Sequence, residues 1–469
     1  MMKDSSLIVI LVAIFAVSLP IDDYLQILVF ATSSLAMVLG IAFLSNKDSN
    51  IHIRNIFLRP SFLFILAYLI VFFQRPLDYV LGYSFNYTQL GDVRFMAQSL
   101  KYALLGLCMF IIGYMYESKR VNVTSAAPLK IKVVSLNFYA FLSSLFIALV
   151  FILVPKEILM GGYSNDLLTN ATIYNYLASW SNTIMICYVA QYTLNAKQTG
   201  AYLDSTPLQF IKSFGIWQNV NFLTYCYMIL NVGDRGPLIV LAFAYYISYI
   251  VVSHRKLSKV KLIIALCAGI LMSSILGDTK QYRNNNTIFD RLSSVFENKG
   301  TELQTSFLPA TEQLSGSYCC LPLAIQMISS KDEYTYGGST IGDLSAGIPF
   351  SGRILELPES TSYRISKYAL GDSFSFGLGT NCIAALYMDG GIIFICLGML
   401  LFGILLRKFE VCIFIDTTKS LFIFCMAFYF LTRVIYIPRS TLMSPFKYAL
   451  WMYVLMALYI KFGPEIKKR

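Results

Sequence analysis

The sequence predicts an all-α polytopic membrane protein, with about 12 transmembrane helices and one large, partly helical periplasmic loop between spans 9 and 10. Three observations predict it. Hydrophobic residues make up 57% of the chain and charged residues 13%, whereas a soluble domain needs about a quarter charged residues to cover its surface. The apolar residues fall in runs of about 16–25, each long enough to cross roughly 30 Å of hydrocarbon as a helix. These runs lack the alternation over about ten residues that marks the strands of a membrane barrel.

Along the chain the runs place spans at 5–20, 24–45, 61–74, 97–116, 133–154, 173–193, 208–230, 237–253, 262–277, 376–406, 418–436 and 446–462. The first ends at Pro20-Ile21-Asp22-Asp23 rather than at a small-residue cleavage site, so it is expected to stay in the membrane. Span three is cut by Arg75-Pro76. Residues 1–277 thus carry spans 1–9, residues 278–372 form the loop, and residues 373–469 carry spans 10–12. Inside the loop, Ile288, Phe289, Leu292, Val295 and Phe296 fall on one face of a predicted helix over 287–300, with Gly300 as its terminator. The run from Cys319 to Ile328 is too short to span and contains Pro322, so it is expected to be buried or re-entrant.

Charge placement gives the orientation. The net charge of +11 could suggest nucleic acid, but the cations cluster at span ends. Lys47, Arg54 and Arg59 fill one break, Lys119, Arg120, Lys130 and Lys132 the next on the same side. Arg255, Lys256, Lys259, Lys261 and the final Lys467-Lys468-Arg469 continue the series. That alternation is a positive-inside signal: both termini cytoplasmic in a bacterial inner membrane, and the long loop outside. Most of the ten cysteines lie in apolar runs and read as small buried residues. Cys319-Cys320 reads as an exposed pair that could bridge only with strain.

Few residues remain to carry chemistry. Gly233-Asp234-Arg235-Gly236-Pro237 turns the chain between spans 7 and 8, so the next helix starts at the outer surface. Free N–H groups, the positive dipole end and Arg235 together suit a phosphate or pyrophosphate. The alternative is an interfacial arginine that snorkels to lipid and pairs with Asp234. In the long loop, Arg283 and Arg291 stand near its start, and Arg353 and Arg364 in turn-rich, aromatic surroundings where either could touch substrate. Arg433 and Arg439 flank Tyr436 and Pro438 at the end of span 11, either facing a cavity or anchoring the span. Both histidines, His52 and His254, fall in cytoplasmic breaks, so no imidazole base or metal cluster is expected outside. Asp22-Asp23 reads as solvated helix caps, and no phosphate-binding P-loop is present.

At these motifs the chain resembles the O-antigen and capsule repeat-unit polymerases of the Wzy type. Gly233 to Pro237 is similar to their Arg-Gly turn. Tyr336-Gly337-Gly338-Ser339-Thr340 and Gly347-Ile348-Pro349 resemble the approach to their late periplasmic loop. Gly377 to Gly391, closing on Asp389-Gly390-Gly391, resembles the glycine-rich lead into the following span. Ala385 departs from the pattern, standing where the family often has Glu, so no acid or base can act from that position.

The resemblance implies a glycosyltransferase that needs neither cofactor nor metal. Its donor is a glycan on undecaprenyl pyrophosphate, and its acceptor is a sugar hydroxyl of the next lipid-linked oligosaccharide. Arg235, Arg353, Arg364 and Asp234 are then the catalytic candidates, with Arg283, Arg433, Arg439 and Asp372 binding substrate. Asp234, Asp343 and Asp372 are candidates for the base. Membrane lipids surround it, a chain-length regulator is a further partner to test for, and nucleic acid is not expected. Two rivals stay open. A lipid-linked oligosaccharide flippase would share the span count, and an O-antigen ligase the architecture, although the ligases resemble a site with an outer histidine that this chain lacks.

Overall fold

The computed structural model describes residues 25–45, 59–83, 86, 90–120, 136–159, 168–199, 206–234, 236–253, 306–331, 333–348, 358–371, 377–414 and 420–462. Spans one and nine, the helix expected over 287–300, both histidines and Asp22-Asp23 lie outside these residues.

The described chain is helical, with no β-strand among the described residues. In order come α1 (Leu25–Ser45), α2 (Pro60–Val80), α3 (Met96–Arg120), α4 (Asn137–Leu153), α5 (Leu168–Thr199), α6 (Pro207–Ser213) and α7 (Ile216–Val232). There follow α8 (Gly236–Val252), α9 (Cys320–Lys331), α10 (Gly338–Ser345), α11 (Thr361–Leu370), α12 (Cys382–Phe414), α13 (Leu421–Arg433) and α14 (Ala449–Phe462). Among the described residues, four segments are long and apolar enough to cross a membrane: Leu25–Phe43, Pro60–Val80, Val93–Glu117 and Cys382–Phe414. Three shorter apolar helices are α4, α8 and α13.

Three sequence expectations are corrected. Arg75-Pro76 does not cut span three, because α2 runs through it to Val80. A proline is tolerated in a helix packed among others, where neighbours satisfy the freed backbone. Span seven is two helices, parted at Gly215, whose φ of 86° only glycine adopts freely. Thr206 starts the shorter one with a capping box to Gln209. Cys319 and Cys320 are buried rather than exposed, as free thiols 4.0 Å apart. They belong to the run expected to be buried, and α9 is indeed enclosed from Cys320 to Ile325.

The chain forms two compact units, each assembled from separate segments. Unit 1 takes Met1–Ser125, Gln304–Val411 and Val434–Lys447. Its core is aromatic: Phe64, Tyr68, Phe110 and Phe402 pack with ring centroids 4.5–5.7 Å apart. Glycine sets the α3–α12 crossing. A Cβ on Gly113 would lie 2.0 Å from the Leu400 carbonyl oxygen, and one on Gly403 would lie 2.2 Å from that of Phe110. Small residues at membrane helix crossings allow such backbone approach. At one end of α2, Glu410 accepts from the Ser61 N–H at 2.7 Å and from the Tyr114 hydroxyl, beside the buried Arg407. At its other end, Arg75 bonds Glu312 at 3.1 Å, and Asp78 accepts from Ser306 Oγ and the Phe307 N–H. Gln74 donates to Ser306 Oγ and the Leu308 carbonyl, so α2 holds the segment 306–312 by side-chain bonds.

Unit 2 takes Ala126–Leu303, Cys412–Arg433 and Tyr448–Arg469. Its centre is α5, buried on every side from Ser181 to Ala190. A helix apolar all round belongs inside a bundle, and here α4, α8, α13 and α14 pack around it. Three buried polar side chains bond across to neighbouring helices. Asn182 donates to the Pro237 carbonyl at 3.0 Å, Thr193 to Ser248 at 2.7 Å, and Asn221 to the Ala140 carbonyl at 2.8 Å.

Candidate functional site

In unit 1, α12 is broken at Asp389-Gly390-Gly391. Gly391 takes φ 64°, which parts a short buried helix, Cys382 to Asp389, from the long apolar remainder. Asn381 starts the short piece, accepting from the Ala384 N–H and donating to the Ser317 carbonyl. Residues 335–340 are bound onto the break. Thr335 N–H donates to the Met388 carbonyl at 3.0 Å, and its hydroxyl to Asp389 at 2.5 Å. Asp389 also accepts from the Ser339 N–H at 3.1 Å and from the Thr340 hydroxyl, so it caps α10. The N-terminus of that helix is therefore occupied by a carboxylate.

Asp343, one turn further along α10, accepts from the Thr361 N–H at 3.2 Å and its hydroxyl at 2.7 Å. Burial pushes its carboxyl up to about 6, aided by the charge of Asp389 and opposed by the Thr361 donors and Lys447. A carboxyl near 6 is poised to take up a proton close to neutral pH. Arg364 is on α11 rather than in a turn, because Ser360 accepts from the Tyr363 N–H and starts that helix. Its guanidinium donates to Ser339 Oγ at 3.4 Å. Arg439 is half-buried in the short 3-10 turn Ile437–Arg439.

Four tyrosines gather on the same break. Tyr102 stacks on Tyr387 with centroids 5.2 Å apart, and Tyr334 meets Tyr387 edge-on at 6.0 Å. A Cβ at Gly391 would lie 2.9 Å from the Tyr334 hydroxyl. Tyr336, edge-on to Tyr334 at 6.4 Å, is 80% exposed and has φ 48°. Such a backbone in a bulky residue costs of order 1 kcal/mol, which the Thr335 bonds must offset.

In unit 2, α7 ends at Gly233, with φ 77°, and α8 starts at Gly236. Asp234 accepts from the Gly236 N–H at 3.2 Å across this turn. Arg433, at the end of α13, has its guanidinium carbon 4.8 Å from the Tyr429 ring centre and 5.9 Å from that of Tyr448. Asp234 and Arg433 both lie within electrostatic reach of the Tyr225 hydroxyl, with no ion pair between the two. Arg235, Arg283, Arg353 and Asp372 lie outside the described residues.

The arginines divide by partner. Arg75 is salt-bridged to Glu312 and Arg94 to Asp92, at 3.1 and 2.6 Å. Arg364, Arg433 and Arg439 have no carboxylate partner among the described residues. A family model, O-antigen polysaccharide polymerase Wzy, matches residues 5–467.

The chain belongs to this polymerase family.

It is therefore a membrane protein and a surface polysaccharide polymerase, a glycosyltransferase-like enzyme acting on lipid-linked oligosaccharide repeat units. No curated protein and no solved structure matches the chain significantly. Sequence reasoning missed Arg75 and Asp389 as organisers of this Wzy polymerase. Asp389 left a signal: a carboxylate directly before Gly-Gly inside an apolar run is a costly choice unless it caps something. Arg75 left the same signal beside Pro76, and the proline misdirected the reading.

Proposed function

We propose that this polymerase works at the periplasmic face of the inner membrane, with both termini cytoplasmic and about twelve spans. In this reading it transfers a growing glycan from undecaprenyl pyrophosphate to the next lipid-linked unit. The acceptor hydroxyl oxygen attacks the anomeric carbon, and the bond from that carbon to the pyrophosphate breaks. The electron pair leaves with undecaprenyl pyrophosphate, and the hydroxyl proton goes to a carboxylate. Attack opposite the leaving group inverts the anomeric carbon.

The observation that carries this reading is that Arg364, Arg433 and Arg439 have no carboxylate partner among the described residues. A pyrophosphate gains charge as it departs, so fixed cations stabilise the transition state more than the ground state. Arginine stays charged without a metal and grips phosphate oxygens in pairs. Arg433, over the rings of Tyr429 and Tyr448 and in the same unit as Asp234, supports a pyrophosphate site at the 233–237 turn, with Arg235 as its principal ligand. Arg364 and Arg439, with Arg283 and Arg353 from the loop 278–372, are the further cationic candidates. Asp343 is the preferred base, because its raised proton affinity matches the task. Asp234, which accepts from the Gly236 N–H as Asp343 does from Thr361, and Asp372 are the other candidates.

The test uses purified protein in detergent, where transport has no meaning, with lipid-linked repeat units as sole substrate. Glycans longer than one repeat are expected, and unchanged lengths would favour the flippase. A chain-length regulator, if one acts, changes the length distribution on addition without being needed for extension.

A further inference from the structure

The Tyr334-Thr335-Tyr336 segment leads into a tight turn, closed by the Gly338 N–H on the Thr335 carbonyl at 2.8 Å, with positive φ at both Tyr336 and Gly337. Tyr336 is the sole non-glycine residue at positive φ among the described residues, and it is 80% exposed. The turn needs positive φ at both central positions, which asparagine or glycine fills at less cost, so a large ring here that gains nothing in burial is the feature that asks for a ligand. The strain is maintained from below: Thr335 bonds both the Met388 carbonyl and Asp389, and Tyr334 lies over Gly391. Tyr387 and Tyr102 back Tyr334 in turn.

We propose that Tyr336, held rigid on this tyrosine stack, is the platform on which a pyranose ring of the acceptor repeat unit lies. The C–H face of a sugar ring is apolar and its rim is hydroxylated. A tyrosine offers a flat apolar face with a polar tip, at little cost in side-chain freedom. The residues around it suit the rim. Thr340 and Asp343 on α10 and Arg364 on α11 are part-exposed polar groups, while the buried Asp389 and Ser339 hold Thr340 and Arg364 in place. Tyr336 therefore sets which acceptor is extended, while the pyrophosphate is gripped by arginine. This assignment rests on the polymerase reading above.

The decisive variant is Tyr336→Gly. Glycine relaxes at this backbone conformation, so the fold is not weakened while the ring is lost. The assay is extension of single repeat units on undecaprenyl pyrophosphate by purified protein in detergent, at varied acceptor concentration. The expected result is a KM for acceptor raised about tenfold or more, with kcat within twofold of wild type and an unlowered melting temperature. Tyr336→Phe and Tyr336→Trp should keep KM within about threefold, because each keeps a ring. An unaltered KM in Tyr336→Gly, with wild-type extension intact, would overturn the platform and leave the polymerase reading standing. Failure of wild type to extend at all would instead strike the polymerase reading.

Discussion

Two guanidinium groups at helix ends, one in each unit, have opposite surroundings. In unit 1, Arg75 is buried and salt-bridged to Glu312, with Asp78 3.9 Å away. In unit 2, Arg433 is half-buried against two tyrosine faces, and no carboxylate among the described residues pairs with it. The first arrangement spends its charge on holding the 306–312 segment to α2. The second keeps its charge available, since a ring face attracts a cation without neutralising it. Pairing thus separates arginines that build the fold from arginines that can meet an anion.

The largest effect that would sharpen this contrast is on stability in unit 1. Arg75→Ala leaves Glu312 and the buried Asp78 without their cation, and removing one partner of a buried pair costs about 3–5 kcal/mol. Thermal unfolding in detergent should show a clear drop, and an unchanged melting temperature would break the comparison. Arg433→Ala should do the reverse: melting unchanged within a few degrees, chain extension down about 10²–10³-fold, the loss typical of one charge-stabilising group.

The acid limb of the pH profile comes next. Asp343 acts as a base only when ionised, and its carboxyl is held at about 6. Extension should therefore fall about tenfold per unit as pH drops below 6. Asp343→Asn should give a low rate without that limb, and an unaltered limb in the variant would assign the base elsewhere. The smallest effect tests an interhelical bond in unit 2. Thr193→Val removes the hydroxyl that donates to Ser248, which should cost about 0.6 kcal/mol, the usual value for such bonds between membrane helices.

The all-helical membrane character was legible because span-length apolar runs allow one solution, a helix with its backbone satisfied internally. The breaks were less legible. Arg75-Pro76 looked like the end of a span, yet α2 continues, because the sequence does not reveal that Glu312 would arrive from over two hundred residues away. Gly215 was hidden inside an apolar run, and only its φ of 86° discloses the break. For the site, composition and spacing proposed Asp234, Arg364, Arg433 and Arg439 as candidates. They could not tell that Arg364 rides a helix or that Arg433 meets Tyr448, because those partners are distant in sequence. The role of Asp389 was unreadable for the same reason, since its three donors come from residues 335–340.

The central claim is that an arginine without a carboxylate partner stabilises a departing pyrophosphate, and one measurement tests it most directly. Undecaprenyl pyrophosphate released per glycosidic bond formed is followed with purified wild type and Arg433→Ala in detergent. The account predicts one molecule released per bond in wild type, and release slowed at least a hundredfold in the variant while its melting temperature holds. Release at the wild-type rate from a folded Arg433→Ala protein would contradict it.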